Sequence, residues 1–72
     1  MKKTYVTFHF PNGIYTYAKW AIEVKENEDL SEIVSDVNSL DGVKYLNINK
    51  SGRLQKGYQV ISYNNGEYLA NI

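Results

Sequence analysis

The sequence predicts one small α+β domain over residues 1–72, with one helix packed on one face of a mostly antiparallel sheet in the order β-β-α-β-β-β. Three observations lead to this prediction: a turn between two alternating apolar segments, one helical apolar stripe, and further glycine-containing turns in the second half. A chain of 72 residues lies near the lower limit for folding without disulfides or metal ions.

The first turn, residues 10–14 (FPNGI), separates two strands. Proline, asparagine and glycine in this order are typical of a three-residue loop that closes with a bulge, and this loop would pair Phe10 with Ile14. The resulting register places one apolar set on a single face, namely Val6, Phe8, Phe10, Ile14, Ala18, Trp20, Ile22 and Val24. A two-residue Asn-Gly turn would split that set between the two faces, so the three-residue loop is preferred.

A helix is predicted over residues 30–40, because apolar side chains recur there at helical spacing. These side chains are Leu30, Ile33, Val34, Val37 and Leu40. Asp29 suits the N-cap, and Glu32, three residues later, completes a capping-box pattern. Gly42 suits the left-handed position that follows a helix.

The second half is expected to form three further strands joined by turns. The strands are residues 42–48, 58–63 and 67–72. Leu46 and Ile48 are expected to point inward, and residues 49–53 to form a second hairpin turn. The order of hairpin, helix and strands resembles the β-grasp arrangement, but the resemblance is one of element order alone and implies no function.

The first hairpin is expected to expose an aromatic surface, because one helix can cover only one face of the sheet. With Val6 and Phe8 inward, the alternate residues of both strands point outward. The expected surface consists of Tyr5, His9, Tyr15, Tyr17 and Lys19. Tyrosine combines a large rigid apolar area with a hydroxyl group, and it is enriched at protein interfaces. This surface is therefore the first candidate for binding a partner.

Two charged clusters are secondary candidates. Asp29, Glu32 and Asp36 follow one flank of the helix, where they either complement its dipole or form an acidic ridge for a basic groove on a partner. The basic cluster surrounds the second turn and consists of Lys44, Lys50, Arg53 and Lys56. Its charges could contact phosphates while exposed tyrosines stack on single-stranded bases. A net charge of zero argues against a general nucleic-acid binder.

Catalytic, metal and membrane functions lack support in the sequence. The absence of cysteine and the single histidine, His9, argue against a zinc site, and no phosphate-binding glycine motif or EF-hand loop occurs. His9 has no nearby cysteine or carboxylate in the strand pattern to form a catalytic pair. No apolar run approaches the ~20 residues that span a bilayer, and residues 1–10 lack the apolar segment of a signal peptide. We expect a non-enzymatic cytoplasmic protein without a cofactor.

The expected function is binding of another protein through the tyrosine surface, so that a working surface of the partner is occluded. Small cofactor-free chains of this kind include inhibitors and accessory factors encoded by phages and other mobile elements, which act against host defence or regulatory proteins. Two alternatives stay open at this point. One is binding of single-stranded nucleic acid through the tyrosines and the basic turn, and the other is homodimerisation through stacked sheets.

Overall fold

Four strands, one α-helix and a C-terminal 3₁₀ segment make up the domain in a computed structural model, which describes residues 2–72. Their bounds are β1 (Thr4–Pro11), β2 (Tyr17–Val24), α1 (Leu30–Asn38), β3 (Lys44–Asn49), β4 (Gln59–Ser62) and the 3₁₀ segment (Asn64–Asn71). The predicted α+β class is confirmed. Within residues 2–72, no helix has both the length and the apolar character needed to cross a membrane.

The sheet has the order β3-β1-β2-β4. β1 is antiparallel to both β2 and β3, whereas β4 is parallel to β2. The sheet is therefore mostly antiparallel, as predicted, with one parallel pair at its edge. β3 and β4 occupy the two opposite edges, so residues 49–53 do not form the expected hairpin turn between them.

The first hairpin keeps the predicted faces but not the predicted register. Phe10 pairs with Ala18 instead of Ile14, and Phe8 pairs with Trp20. The connection is thus a five-residue loop, residues 12–16, and the pairing has moved by four residues. Because four is an even number, every strand residue stays on its predicted face. The longer loop lets Trp20 and the apolar residues after it lie beside β1, whereas Ile14, predicted to be inward, is exposed in the loop.

The helix confirms the predicted apolar stripe. Ile33 and Val37 are buried, and the other three stripe residues pack partly against the same core. Asp29 is the N-cap, and its Oδ1 accepts a hydrogen bond from the backbone N–H of Ser31 at 2.9 Å. The helix ends at Asn38, two residues earlier than predicted, with Ser39 as the C-cap.

The core lies between the sheet and the helix. Its fully or nearly buried side chains are Val6, Phe8, Ile22, Ile33, Val37, Tyr63 and Tyr68. We call this side of the sheet the core face and the opposite side the outer face. Leu46 packs partly against the core as predicted, and Ile48, which pairs with Val6, lies on the predicted face but is 42% exposed on the edge strand β3.

The chain crosses the sheet twice, once over each face. β2 and β3 run in the same direction, and α1 connects them over the core face. β3 and β4 also run in the same direction, and residues 50–58, which we call the crossover segment, connect them over the outer face. α1 leads the chain from β2 toward the β3 edge, and the crossover segment leads it back from β3 to the β4 edge on the other face. Because both the direction and the face change, the two crossover connections have the same handedness. A crossover segment on the core face would give one of them the hand that proteins strongly disfavour.

The crossover segment buries part of the outer face that was expected to be open. Thr7 and Ala21, in the middle of this face, are buried. Leu54 and Tyr58 of the crossover segment and Thr7 of β1 line the same small cavity, and the Thr7 hydroxyl donates a long hydrogen bond to the Asn47 carbonyl. The sequence pattern identified the face correctly, but it missed the segment that covers it.

The last element is not the predicted strand. Asn64, Asn65 and Gly66 all have left-handed backbone angles, with φ of 45°, 55° and 96°. Three such residues in succession turn the chain back toward the core instead of extending the sheet, and the remaining residues form a 3₁₀ turn. This turn buries Tyr68 against Tyr63, with the two rings stacked at 5.4 Å between centroids.

The two stacked tyrosines differ in how their hydroxyl groups are satisfied. The Tyr63 hydroxyl donates to the Asp36 carboxylate, whereas the Tyr68 hydroxyl is buried without a partner among the described residues. The hydrogen bond to Asp36 raises the pKa of Tyr63 well above its ordinary value, and burial raises the pKa of Tyr68. Both phenols therefore stay protonated at neutral pH.

Replacing each phenol by phenylalanine should have opposite consequences for stability. Tyr63→Phe removes a donor from the Asp36 carboxylate and should lower the free energy of unfolding by about 1–3 kcal/mol. Tyr68→Phe removes a buried hydroxyl that has no partner, so it should leave this free energy unchanged or raise it. Urea denaturation followed by circular dichroism measures both. A larger loss for Tyr68→Phe than for Tyr63→Phe would contradict this assignment.

Candidate functional site

The hairpin loop presents two large apolar side chains to solvent. The Thr16 hydroxyl donates to Asn12 Oδ1 at 2.8 Å, and the Asn12 backbone N–H donates to the Thr16 carbonyl at 3.2 Å. A Cβ at position 13 would lie 2.6 Å from the Thr16 hydroxyl and would displace it from Asn12, so glycine suits this close approach. The loop closed in this way leaves Ile14 90% exposed and Tyr15 92% exposed.

His9 is the centre of an aromatic cluster near the same end of the sheet. It points to the outer face and is half-buried. Its Nε2 lies 3.3 Å from the Tyr58 hydroxyl, within hydrogen-bond distance. Its ring contacts Tyr45 in a tilted arrangement with 4.8 Å between centroids, and Tyr58 edge-on at 6.0 Å. The cluster thus joins β1 to the start of β3 and to the end of the crossover segment.

An irregularity in the pairing of β3 accompanies the Tyr45 contact. Thr7 pairs with Asn47, but His9 pairs with Lys44, so β3 contains one extra residue between these pairs. Tyr45 has a left-handed backbone with φ of 57°, which is uncommon for an aromatic residue. This bulge places the Tyr45 ring beside His9 while leaving Tyr45 74% exposed.

Two lysines lie over tyrosine rings near this cluster, one over Tyr58 of the cluster and one over Tyr17 of β2. The Nζ of Lys19 is 5.8 Å from the Tyr58 ring centroid, and the Nζ of Lys44 is 5.5 Å from the Tyr17 ring centroid. Such contacts at exposed sites contribute roughly 0.5–1 kcal/mol each. They hold the ammonium groups near the rings, so the cluster carries positive charge as well as apolar area.

These side chains and the two exposed residues of the hairpin loop lie toward the same end of the domain, which we call the hairpin-end surface. It consists of His9, Ile14, Tyr15, Tyr17, Lys19, Lys44, Tyr45 and Tyr58. The set contains no carboxylate. Large apolar side chains next to cations are suited to contact with another macromolecule, because they combine buried area with charge complementarity.

The predicted tyrosine surface is only partly reproduced. His9, Tyr15, Tyr17 and Lys19 belong to the hairpin-end surface, Tyr15 as part of the hairpin loop. Tyr5 does not, because it lies near the other end of β1 and is 8% exposed, which corrects its predicted exposure.

Tyr45, Tyr58 and Ile14 are members that the sequence did not identify. The alternation of β1 and β2 could find residues of the hairpin, but Tyr45 and Tyr58 reach His9 from distant parts of the chain. Their aromatic character was the only signal available. Ile14 was missed because the predicted three-residue loop assigned it to the core.

The acidic candidates stabilise the fold. Asp29 caps the helix, and Asp36 accepts the hydrogen bond from Tyr63. Glu32 is exposed and has no such hydrogen bond among the described residues. Two of the three acidic candidates thus have roles in the fold, and the acidic ridge stays a prediction.

The basic candidates are dispersed. Lys44 lies in the hairpin-end surface, and Arg53 and Lys56 are exposed on the crossover segment. Lys50 lies at the opposite end of the sheet, where it lines an open cleft with Lys2 and Lys25. The predicted cluster at one turn is thus not formed.

We looked among the described residues for a metal site and for a catalytic partner of His9. Within residues 2–72, no three His, Asp or Glu side chains come together in a way that could hold a metal ion. The contacts of His9 are phenols, so it has no carboxylate that would orient it as a general base. No protein-family model, curated protein or solved structure matches this chain.

The lysine–tyrosine contacts can be tested by NMR. A methylene group above an aromatic ring is shifted upfield by the ring current, so we expect upfield ε-methylene signals for Lys19 and Lys44. Tyr58→Leu should abolish this shift for Lys19 alone, and Tyr17→Leu should abolish it for Lys44 alone. Each variant thus serves as the control for the other, and ordinary lysine shifts in the wild-type chain would disprove both contacts.

Proposed function

We propose that this chain is a non-enzymatic protein-binding module that covers part of a partner protein with its hairpin-end surface. The observation that carries the proposal is the joint exposure of Ile14, Tyr15 and Tyr45 at one end of the domain. Exposed large apolar side chains are ordinary when they are scattered, whereas a contiguous group of them is typical of an interaction site.

Contacts within the domain that order part of the surface favour this function. His9 contacts Tyr45 and Tyr58, and the loop is closed by the two hydrogen bonds between Asn12 and Thr16. Side chains that are already ordered lose less conformational entropy on binding, so more of the contact energy contributes to affinity. Tyrosine side chains are also frequent among the residues that dominate binding energy at interfaces.

Occlusion is the mechanism that best suits such a module. The domain carries no recognisable catalytic group among its described residues, so its effect on a partner would come from covering a surface that the partner needs. We propose that it acts in the cytoplasm as a small inhibitor or accessory factor. The source we propose for such a factor is a phage or another mobile element, with a host defence or regulatory protein as its target.

The loop tip provides the first test. Ile14→Ala/Tyr15→Ala should leave the fold intact, because both side chains are almost fully exposed. The same double substitution should weaken partner capture at least about tenfold if the tip is an energetic centre of the interface. Affinity purification from cells that express the tagged chain, with quantitative mass spectrometry of captured proteins, measures the effect.

Ile48→Ala/Leu69→Ala is the matched control. It also removes two partly exposed apolar side chains, but these lie outside the hairpin-end surface. Capture by this variant should equal that of the wild-type chain. If Ile14→Ala/Tyr15→Ala also captures the partner at the wild-type level, the hairpin end is not the binding surface.

Binding of single-stranded nucleic acid is the second candidate. The observation in its favour is that Lys19 and Lys44 lie beside tyrosine rings, which brings cationic and aromatic groups together on one surface. It predicts salt-sensitive binding of oligo(dT) or oligo(rU), weakened by Lys19→Glu/Lys44→Glu. Fluorescence anisotropy at low salt is the measurement, and an unchanged anisotropy would eliminate this candidate.

A further inference from the structure

We infer that the partner of the hairpin-end surface is a protein that presents carboxylates around an apolar recess. This inference rests on the proposed protein-binding function and adds the chemistry of the partner. It combines three features of the domain: the segregation of charge between its two faces, the way the tyrosine rings are already contacted, and the shape of the loop tip.

Charge is partly separated between the two faces of the domain, although the net charge is zero and Glu23 of β2 lies on the outer face, paired with Lys3. The helix and the residues just before it carry a cluster of acids on the core side, namely Glu28, Asp29, Glu32 and Asp36. The outer face and the crossover segment carry exposed bases, namely Lys19, Lys44, Lys50, Arg53 and Lys56. A partner that approaches the outer face therefore meets positive charge, which favours an acidic surface.

Lys19 and Lys44 of the hairpin-end surface form no ion pair within the described part of the domain. Among residues 2–72 the single ion pair joins Lys3 to Glu23, near the other end of the sheet. Lys19 and Lys44 contact tyrosine rings instead. Each ammonium group has three N–H donors, and a contact with one ring face does not use all of them. The two lysines can therefore still donate hydrogen bonds to a carboxylate of a partner.

A nucleic acid would supply negative charge too, but part of the ring area that stacking on bases would use is already in contact within the domain. Each of three rings already has an intramolecular neighbour: Lys44 over Tyr17, Lys19 over Tyr58, and His9 against Tyr45. Nucleic-acid-binding sheets instead present open ring faces to successive bases. The arrangement consequently favours carboxylates of a protein over phosphates of a single strand.

The loop tip defines the apolar part of the partner. Ile14 and Tyr15 project from the end of the hairpin with about nine-tenths of their surface exposed. A projecting aliphatic and aromatic pair fits a recess, where both side chains can lose their contact with water. We therefore infer a partner surface with an apolar recess for the tip. Its carboxylates would lie beside the recess, where they face Lys19 and Lys44.

Selection from a phage-displayed library of random peptides on the immobilised wild-type chain tests this inference, because the random sequences sample acidic and apolar side chains together. We expect enriched peptides that combine Asp or Glu with a large apolar side chain. Lys19→Glu/Lys44→Glu should weaken binding of the synthesised peptides at least about tenfold, and added salt should weaken it as well. Lys2→Glu/Lys25→Glu changes the net charge equally at the other end of the sheet and should leave binding unchanged.

The other outcomes separate this inference from the proposed function. Enriched peptides without acidic residues, whose binding is lost in Ile14→Ala/Tyr15→Ala, would overturn the acidic partner and leave the protein-binding module intact. No enriched peptide, together with oligo(dT) binding that Lys19→Glu/Lys44→Glu abolishes, would overturn both. An absence of any binding would also overturn the inference. If the charge reversal unfolds the chain, Lys19→Gln/Lys44→Gln removes the charges without adding acids and decides the question.

Discussion

The placement of β3 and β4 at opposite edges of the sheet is the constraint on which the rest of the structure depends. Because both strands run in the direction of β2, the chain has to cross the sheet between β2 and β3 and again between β3 and β4. The helix occupies the core face, and the preference for right-handed crossovers then directs residues 50–58 to the outer face. One helix and one irregular segment thus cover the two faces of a sheet that has a single hydrophobic core.

This double covering determines which surface remains for binding. Thr7, Ala21 and most of Tyr5 are buried on the outer face, where the crossover segment lies beside Thr7, so the middle of this face is part of the folded interior. Only the hairpin end extends beyond it, and there His9 contacts one tyrosine from the crossover segment and another from the edge strand. The candidate site is therefore an end of the domain and not a sheet face, and its rigidity comes from contacts between elements that are far apart in sequence.

The charge distribution follows from the same arrangement. Seven of the eight acids lie between Glu23 and Asp41, which includes the helix, and five of the eight bases belong to the outer face or the crossover segment. The separation along the chain thus becomes a partial separation between the two sides of the domain, with Glu23 on the outer face as an exception. Two of the helix acids are used for the fold, as the N-cap and as the acceptor for Tyr63, whereas the bases of the hairpin end remain accessible. A surface that binds a partner through positive charge is consequently compatible with a net charge of zero.

The sequence by itself determined the properties that depend on local periodicity. Alternation assigned the residues of β1 and β2 to their faces, helical spacing and Asp29 located the helix, and the same alternation placed His9, Tyr17 and Lys19 together. The hairpin register, the path of the crossover segment and the 3₁₀ turn after Asn65 were decided only by the tertiary structure. Each depends on packing between distant residues: Trp20 beside Phe8, the crossover segment over Thr7, and Tyr68 against Tyr63. Tyr45 and Tyr58 joined the site for the same reason, because local patterns specify which face a side chain occupies but not which distant element will meet it there.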